Sequence, residues 1–142
     1  MICASHIMTS RFVQVPPEEA VGRAIEQMLD QAAVMVVVVG ADGRIQGQLP
    51  EAVMLRAAMD SHLRQDPISL HMVRQFAAVD LRAPVDLVLD QFVLHNLHGL
   101  VVVENGIIRG AIERSDLLRG VMGPSADPIL SATPWSGDAV GL

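Results

Sequence analysis

The chain has 142 residues, of which 51% are hydrophobic and 18% charged, and sixteen acidic against ten basic side chains give a formal charge of −6. This length suits one ordinary domain or two small modules sharing a core, and the acidic balance with few aromatic residues argues against a nucleic-acid partner. A single cysteine, Cys3, leaves no internal disulfide, the longest apolar run (Ala32 to Val39) is far below the roughly 20 residues of a membrane span, and no secretory signal opens the chain, so a cytoplasmic location with no direct membrane span is expected.

Residues 1 to 6 precede the first patterned segment. A short strand is expected around Phe12 to Val15. Pro16, Pro17, Glu18 and Glu19 then announce a helix, and Val21, Ala24, Ile25, Met28 and Leu29 fall on one helical stripe. Val34 to Val39 is a β-branched run without alternation, the pattern of a strand covered on both faces in the centre of a sheet. Ala41, Asp42 and Gly43 form a hairpin turn, and Ile45 to Leu49 is its second strand. A second helix follows, and a connector over 60–71 contains Pro67, which discourages helix at Asp66.

Beyond the connector the order recurs. Asp80 to Pro84 leads into a helix marked by Val85, Val88, Leu89 and Phe92. Leu100 to Val103 is a central strand, Asn105 and Gly106 are the turn, Ile107 to Ile112 is its hairpin partner, and a last helix runs to Met122. Each hairpin partner carries an interior glycine, Gly47 or Gly110, expected at a bulge or a close backbone approach, where there is room for a ligand to come near. Residues 123–142, rich in Gly, Pro, Ser and Ala, read as a disordered tail carrying Ile129, Leu130 and Trp135.

The recurrence is a true repeat. Met8, Phe12, Val15, Val21, Ile25, Met28 and Leu29 match Met72, Phe76, Val79, Val85, Leu89, Phe92 and Val93 at an offset of 64. From the turn onward the offset is 63: Gly43, Ile45, Gly47, Leu55, Arg56 and Met59 match Gly106, Ile108, Gly110, Leu118, Arg119 and Met122. The extra residue of the first copy falls beside its turn, where one-residue changes cost little. Met28, Met35, Met54, Met59 and Met122 are assigned to the shared core or an interface, and the apolar excess of so small a chain points to a subunit contact.

This order of elements, its period and the segment His95 to Met122 resemble the tandem cystathionine-β-synthase (CBS) domain pair, or Bateman module. The resemblance spans a first repeat over 7–62 and a second over 63–122. It implies an α/β fold of two βαββα repeats about a pseudo-twofold axis, association as a homodimer, and a cleft for an adenosine-containing ligand such as AMP, ATP or S-adenosylmethionine, with no cofactor required. The family pattern in that cleft is Gly, two apolar residues, Thr or Ser, two variable residues, then Asp, whose carboxylate accepts from the ribose hydroxyls. Carried over, the candidate binding residues are Gly110, Ala111, Ile112, Glu113, Arg114, Ser115 and Asp116.

Glu113 departs from the pattern, since a carboxylate at the Thr or Ser position repels a phosphate and disfavours ATP; Arg109, Arg114 and Arg119 offset this where they face the cleft. In the first copy Pro50 and Val53 stand at the Thr/Ser and Asp positions, so that half-site lacks the ribose reader. Because Val53 replaces Asp, the fold itself is not expected to require the carboxylate at Asp116, which leaves a ligand as its reason beside the plain alternative of a helix cap.

The expected function is regulatory sensing. The alternative is a ligand-free dimerisation module, such as the cytoplasmic part of a chloride channel or metal-ion transporter, or of a parent enzyme. No catalytic activity is expected: no serine stands in a glycine elbow, no phosphate-cradling loop is present, and His95 and His98 lack further ligands for a metal.

Overall fold

A computed structural model describes residues 2–123. The sequence-predicted disordered tail, apart from its first residue Gly123, therefore lies outside the described residues, as do its Ile129, Leu130 and Trp135. The chain forms two three-stranded sheets, each flanked by helices. In the first copy, β1 (Val13–Val15) leads into α2 (Val21–Asp30), which returns the chain to β2 (Val36–Val39), parallel to β1. A hairpin then adds β3 (Ile45–Gln48) antiparallel to β2, and α3 (Glu51–Ala57) follows. The second copy repeats this as β4 (Ala78–Asp80), α5 (Val85–His95), β5 (Gly99–Glu104), β6 (Ile107–Glu113) and α6 (Arg114–Met122). The fold is thus α/β, with two βαββα copies.

The β-branched strands sit where their sequence requires. β2 and β5 are the central strands of the two sheets. Val36 and Val38 point into the core of the first copy with Val21, Ala24 and Val53, while Val37 points the other way, into a layer shared by both sheets. That layer joins Met35 and Val37 to Val101, Ile108 and Ala111, with Phe12 and Phe76 packed against it. Strands buried on both faces gain nothing from polar alternation, which is why these runs are continuously apolar. Of the methionines assigned to core or interface, Met28 and Met54 support the first core and Met35 the shared layer, whereas Met59 and Met122 lie exposed on the helical surface.

The turns follow the glycine signals. Asn105 and Gly106 both have positive φ, the conformation of a tight hairpin turn, and Gly43 does the same at the end of the longer first turn. In both hairpins the register slips by one residue just beyond the interior glycine, between Val38 and Val39 and between Val102 and Val103, so Gln46 and Arg109 are bulge residues. At the entry to α5, the Asp80 carboxylate accepts the Arg82 N–H at 2.8 Å, and this bond holds its pKa below the ordinary carboxylate value.

Two short helices have no counterpart in the sequence reading: α1 (Ala4–Ile7) and α4 (Ser61–Gln65), the latter capped by the Asp60 carboxylate accepting from His62 and Leu63 N–H. They belong to the lead-in segments, which are exchanged between copies. The segment before β1 docks on the second copy: Ala4 is fully buried in the second core, and Thr9 bridges Ala111. The segment before β4 docks on the first copy, where Ile68 is fully buried and Val73 bridges Gln48. Ala4 and Ile68 are 64 residues apart, as are Thr9 and Val73, so the exchange obeys the same pseudo-symmetry as the repeat.

This exchange accounts for the interior glycines. A Cβ on Gly110 would lie 2.6 Å from Met8 Sδ, and one on Gly47 would meet the Val73 carbonyl and Met72 Sδ. The close approach expected at each glycine is made by the chain's own exchanged segment. Gly47→Ala is expected to cost about 2 to 3 kcal/mol, because the Val73 backbone must shift, and Gly110→Ala about 1 to 2 kcal/mol, because Met8 Sδ swings aside while Met8 Cγ and Cβ, at 2.8 and 3.0 Å, must give slightly. Urea unfolding of the two variants checks the order, and equal losses would contradict the cause given.

Candidate functional site

The seven candidate residues form one continuous corner. Gly110, Ala111 and Ile112 are buried on β6; Glu113 is the N-cap of α6, and Arg114, Ser115 and Asp116 are its first turn. The corner lies at the boundary between copies. Gly99 pairs with Glu113 across β5 and β6, and the methyl of Met35, from the first copy, packs over Gly99. Thr9 exchanges two backbone hydrogen bonds with Ala111, at 2.7 and 3.0 Å. Met35, Gly99, Met8 and Thr9 were missed as site neighbours by sequence reasoning. No signal in the sequence marks them, because a repeat reads the same whichever copy its lead-in segment docks on.

Among the described residues, Asp116 is the one charged side chain that is buried, 9% exposed. One carboxylate oxygen accepts the Glu113 N–H at 2.9 Å, and the other accepts from the Arg119 guanidinium at 3.2 Å. Glu113 reciprocates by accepting the Asp116 N–H, so the two acids close a capping box. Ser115 Oγ donates to Glu113 Oε1 at 2.9 Å, and an Arg119 N–H reaches Ser115 Oγ at 3.5 Å. Arg114 turns to the Leu97 carbonyl, at 2.9 Å from Nε. Arg109 is not brought to this corner: it pairs with Glu104, at 3.0 Å, near the opposite end of the hairpin.

Asp116 therefore does carry a structural duty. The expectation that a cap demanded by the fold would recur in both copies fails for a local reason. α3 begins at Pro50 with no side-chain cap, and Val53, in the place of Asp116, is buried in the first core. The position faces inward in both copies; one fills it with an apolar side chain, the other with a carboxylate whose charge is balanced by a guanidinium and a helix start. Two accepted bonds leave about half of the roughly four lone-pair sites of a carboxylate unused. Cap and ligand acceptor are compatible roles.

Among the described residues, no group of three or more His, Cys, Asp or Glu side chains is arranged to hold a metal, and His95 and His98 are exposed. No described helix is long and apolar enough to cross a membrane.

The family model described as CBS domain matches residues 4–60 and 67–123. The chain belongs to the CBS-domain family. No curated protein sequence matches it significantly. Among solved structures, an uncharacterized conserved protein from Pyrococcus horikoshii is 24% identical with a TM-score of 0.73, covering 85% of this chain and 92% of its own. A CBS domain protein from Pyrobaculum aerophilum, complexed with AMP, is 20% identical with a TM-score of 0.69, over 86% and 100% of the two chains. The CBS domain pair of protein MJ0100, in complex with 5′-methylthioadenosine and S-adenosyl-L-methionine, is 17% identical with a TM-score of 0.74, over 87% and 98%. At these identities the likeness establishes the fold, that of a CBS pair; both matched segments carry the βαββα order described above.

Proposed function

We propose that this CBS pair is a regulatory, non-catalytic module that binds an adenosine-containing ligand at the Gly110–Asp116 corner and transmits a change in the packing of its two copies. The observation that carries the reading is the placement of Asp116. An acceptor-only group stands on the first turn of α6, at the boundary where Met35 of one copy meets Gly99 of the other. Its unused lone pairs suit two ribose hydroxyls, and Val34, Met35 and Phe12, at the margin of the shared layer, offer apolar surface for a base. Two related CBS structures hold AMP, or methylthioadenosine with S-adenosylmethionine, which supports the ligand class.

A ligand touching both copies favours one arrangement of them by its differential affinity and by no more than that. The module acts in the cytoplasm on a parent enzyme, channel or transporter, and the exposed apolar faces of its helices support a homodimer. We place the two repeats at 7–62 and 63–122 along the chain, with packing units out of phase because the lead-in segments are exchanged.

The test is calorimetric titration of the whole chain with adenosine, AMP, ADP, ATP and S-adenosylmethionine, beside Asp116→Asn and Asp116→Ala. Asn keeps an acceptor for the Glu113 N–H but turns its amide NH2 toward the Arg119 guanidinium, so it is expected to cost about 1 kcal/mol, whereas Ala, which loses both bonds, costs about 2 to 3 kcal/mol. Asn offers one acceptor oxygen in place of two, so affinity is expected to fall at least tenfold in both variants. No heat with any compound rejects the sensor reading in favour of the second one, a ligand-free dimerisation module. What favours that second reading is the internal use of both Asp116 oxygens.

A further inference from the structure

The start of an α-helix presents N–H groups without intrahelical partners and a partial positive charge, which together attract an anion. At α6 part of that demand is met from within the chain. Glu113 accepts the Asp116 N–H, Asp116 accepts the Glu113 N–H, and the Ser115 hydroxyl is spent on Glu113 Oε1. The two cations nearby are engaged as well, Arg119 with Asp116 and Ser115, and Arg114 with the Leu97 carbonyl. An incoming phosphate would have to displace the Ser115–Glu113 bond and settle beside a full negative charge that already occupies the favourable end of the helix dipole. A neutral group meets no such opposition, and a cation gains from the Glu113 carboxylate.

We infer that Glu113 makes this corner selective against 5′-phosphates, so that the compounds it takes are adenosine derivatives whose 5′ substituent is uncharged or positive: the nucleoside, a 5′-thioether, or a sulfonium. This rests on the proposed placement of adenosine at Asp116. Glu113 acts here as a specificity-determining residue, occupying by covalent attachment the site that a phosphate would otherwise fill. Being half-buried, it is shielded from solvent enough for its charge to be felt at short range.

The experiment titrates the full chain and its Glu113→Gln variant with adenosine, 5′-methylthioadenosine, S-adenosylmethionine and AMP at one ionic strength. Gln keeps an oxygen for the Asp116 N–H and the Ser115 hydroxyl while removing the charge, and circular-dichroism melting confirms that both proteins fold alike. The expected result for the parent is binding of methylthioadenosine and S-adenosylmethionine at least tenfold tighter than AMP. In Glu113→Gln that gap closes by tenfold or more, mostly through stronger AMP binding, with weaker binding of S-adenosylmethionine. AMP bound by the parent as tightly as methylthioadenosine, or a ratio unmoved by Glu113→Gln, overturns this inference and leaves the adenosine reading standing. Failure of all four compounds to bind overturns the adenosine reading itself, and the selectivity with it. If Glu113→Gln does not fold, Glu113→Thr, which supplies a small hydroxyl acceptor, is read by the same criteria.

Discussion

Ile68→Ala is expected to destabilise the chain by about 3 to 5 kcal/mol, although Ile68 lies in what reads as a connector between copies. Its side chain is fully buried among Val21, Ala24, Val53, Ala57 and Leu63. Its backbone is fixed too, the N–H donating to the Glu19 carbonyl at 2.7 Å, so the segment cannot slide inward to fill the space left by three lost carbons. A rigid wall around a deletion is the circumstance in which the cavity adds most to the cost. Domains of this size are stable by about 5 to 15 kcal/mol in all, so the loss is a large share. Leu70, two residues on and 68% exposed, is the control: Leu70→Ala should change stability by no more than about 0.5 kcal/mol. Urea unfolding of both variants at matched m-value decides the matter, and a shift for Ile68→Ala no larger than that for Leu70→Ala would refute the exchanged packing.

The same residue shows what could and could not be read beforehand. The apolar runs Val34–Val39 and Leu100–Val103, the helical stripes at Val21 and Val85, and the Asn105–Gly106 turn are set by local chemistry, and each formed where its pattern placed it. The exchange of lead-in segments left no such mark. A repeat of period 64 looks identical whichever copy its lead-in docks on, and α1 and α4 are too short to show a helical period. At the site, GAIERSD identified the corner, but its internal bonding was hidden. The sequence leaves Asp116 between cap and ligand, and the structure makes Glu113 the N-cap with Asp116 as its reciprocal partner. Nor does spacing reveal that Arg119 turns inward onto Asp116 while Arg109 turns away to Glu104.

Leu118→Asp is expected to convert a dimer of this chain to a monomer. The repeat sharpens where the proposed homodimer contact lies. Leu29 and Leu55 of the first copy, Met59 in the turn just past α3, and their partners Val93, Leu118 and Met122 of the second are all exposed, on or beside helices whose opposite faces fill the cores. Residues related by the repeat and left bare in both copies are not accidents of one surface loop, and a patch of this kind marks an interaction site. The second copy goes further: Leu94, 74% exposed, stands where the first copy has Asp30, and Val121 where it has Ala58. In a twofold interface each substitution enters twice. A central apolar residue typically contributes about 2 kcal/mol or more, so one buried aspartate per protomer should weaken association by about a thousandfold. Light scattering behind size exclusion reads the outcome directly, as a fall from twice the 15.3 kDa chain mass to once that mass. The unfolding midpoint of the monomeric variant, extrapolated to low concentration, should match that of the parent, because Leu118 is absent from either core. A parent chain that is monomeric at 100 μM on the order of typical assay conditions, or a Leu118→Asp variant that stays dimeric, would show that these helical faces serve a different partner.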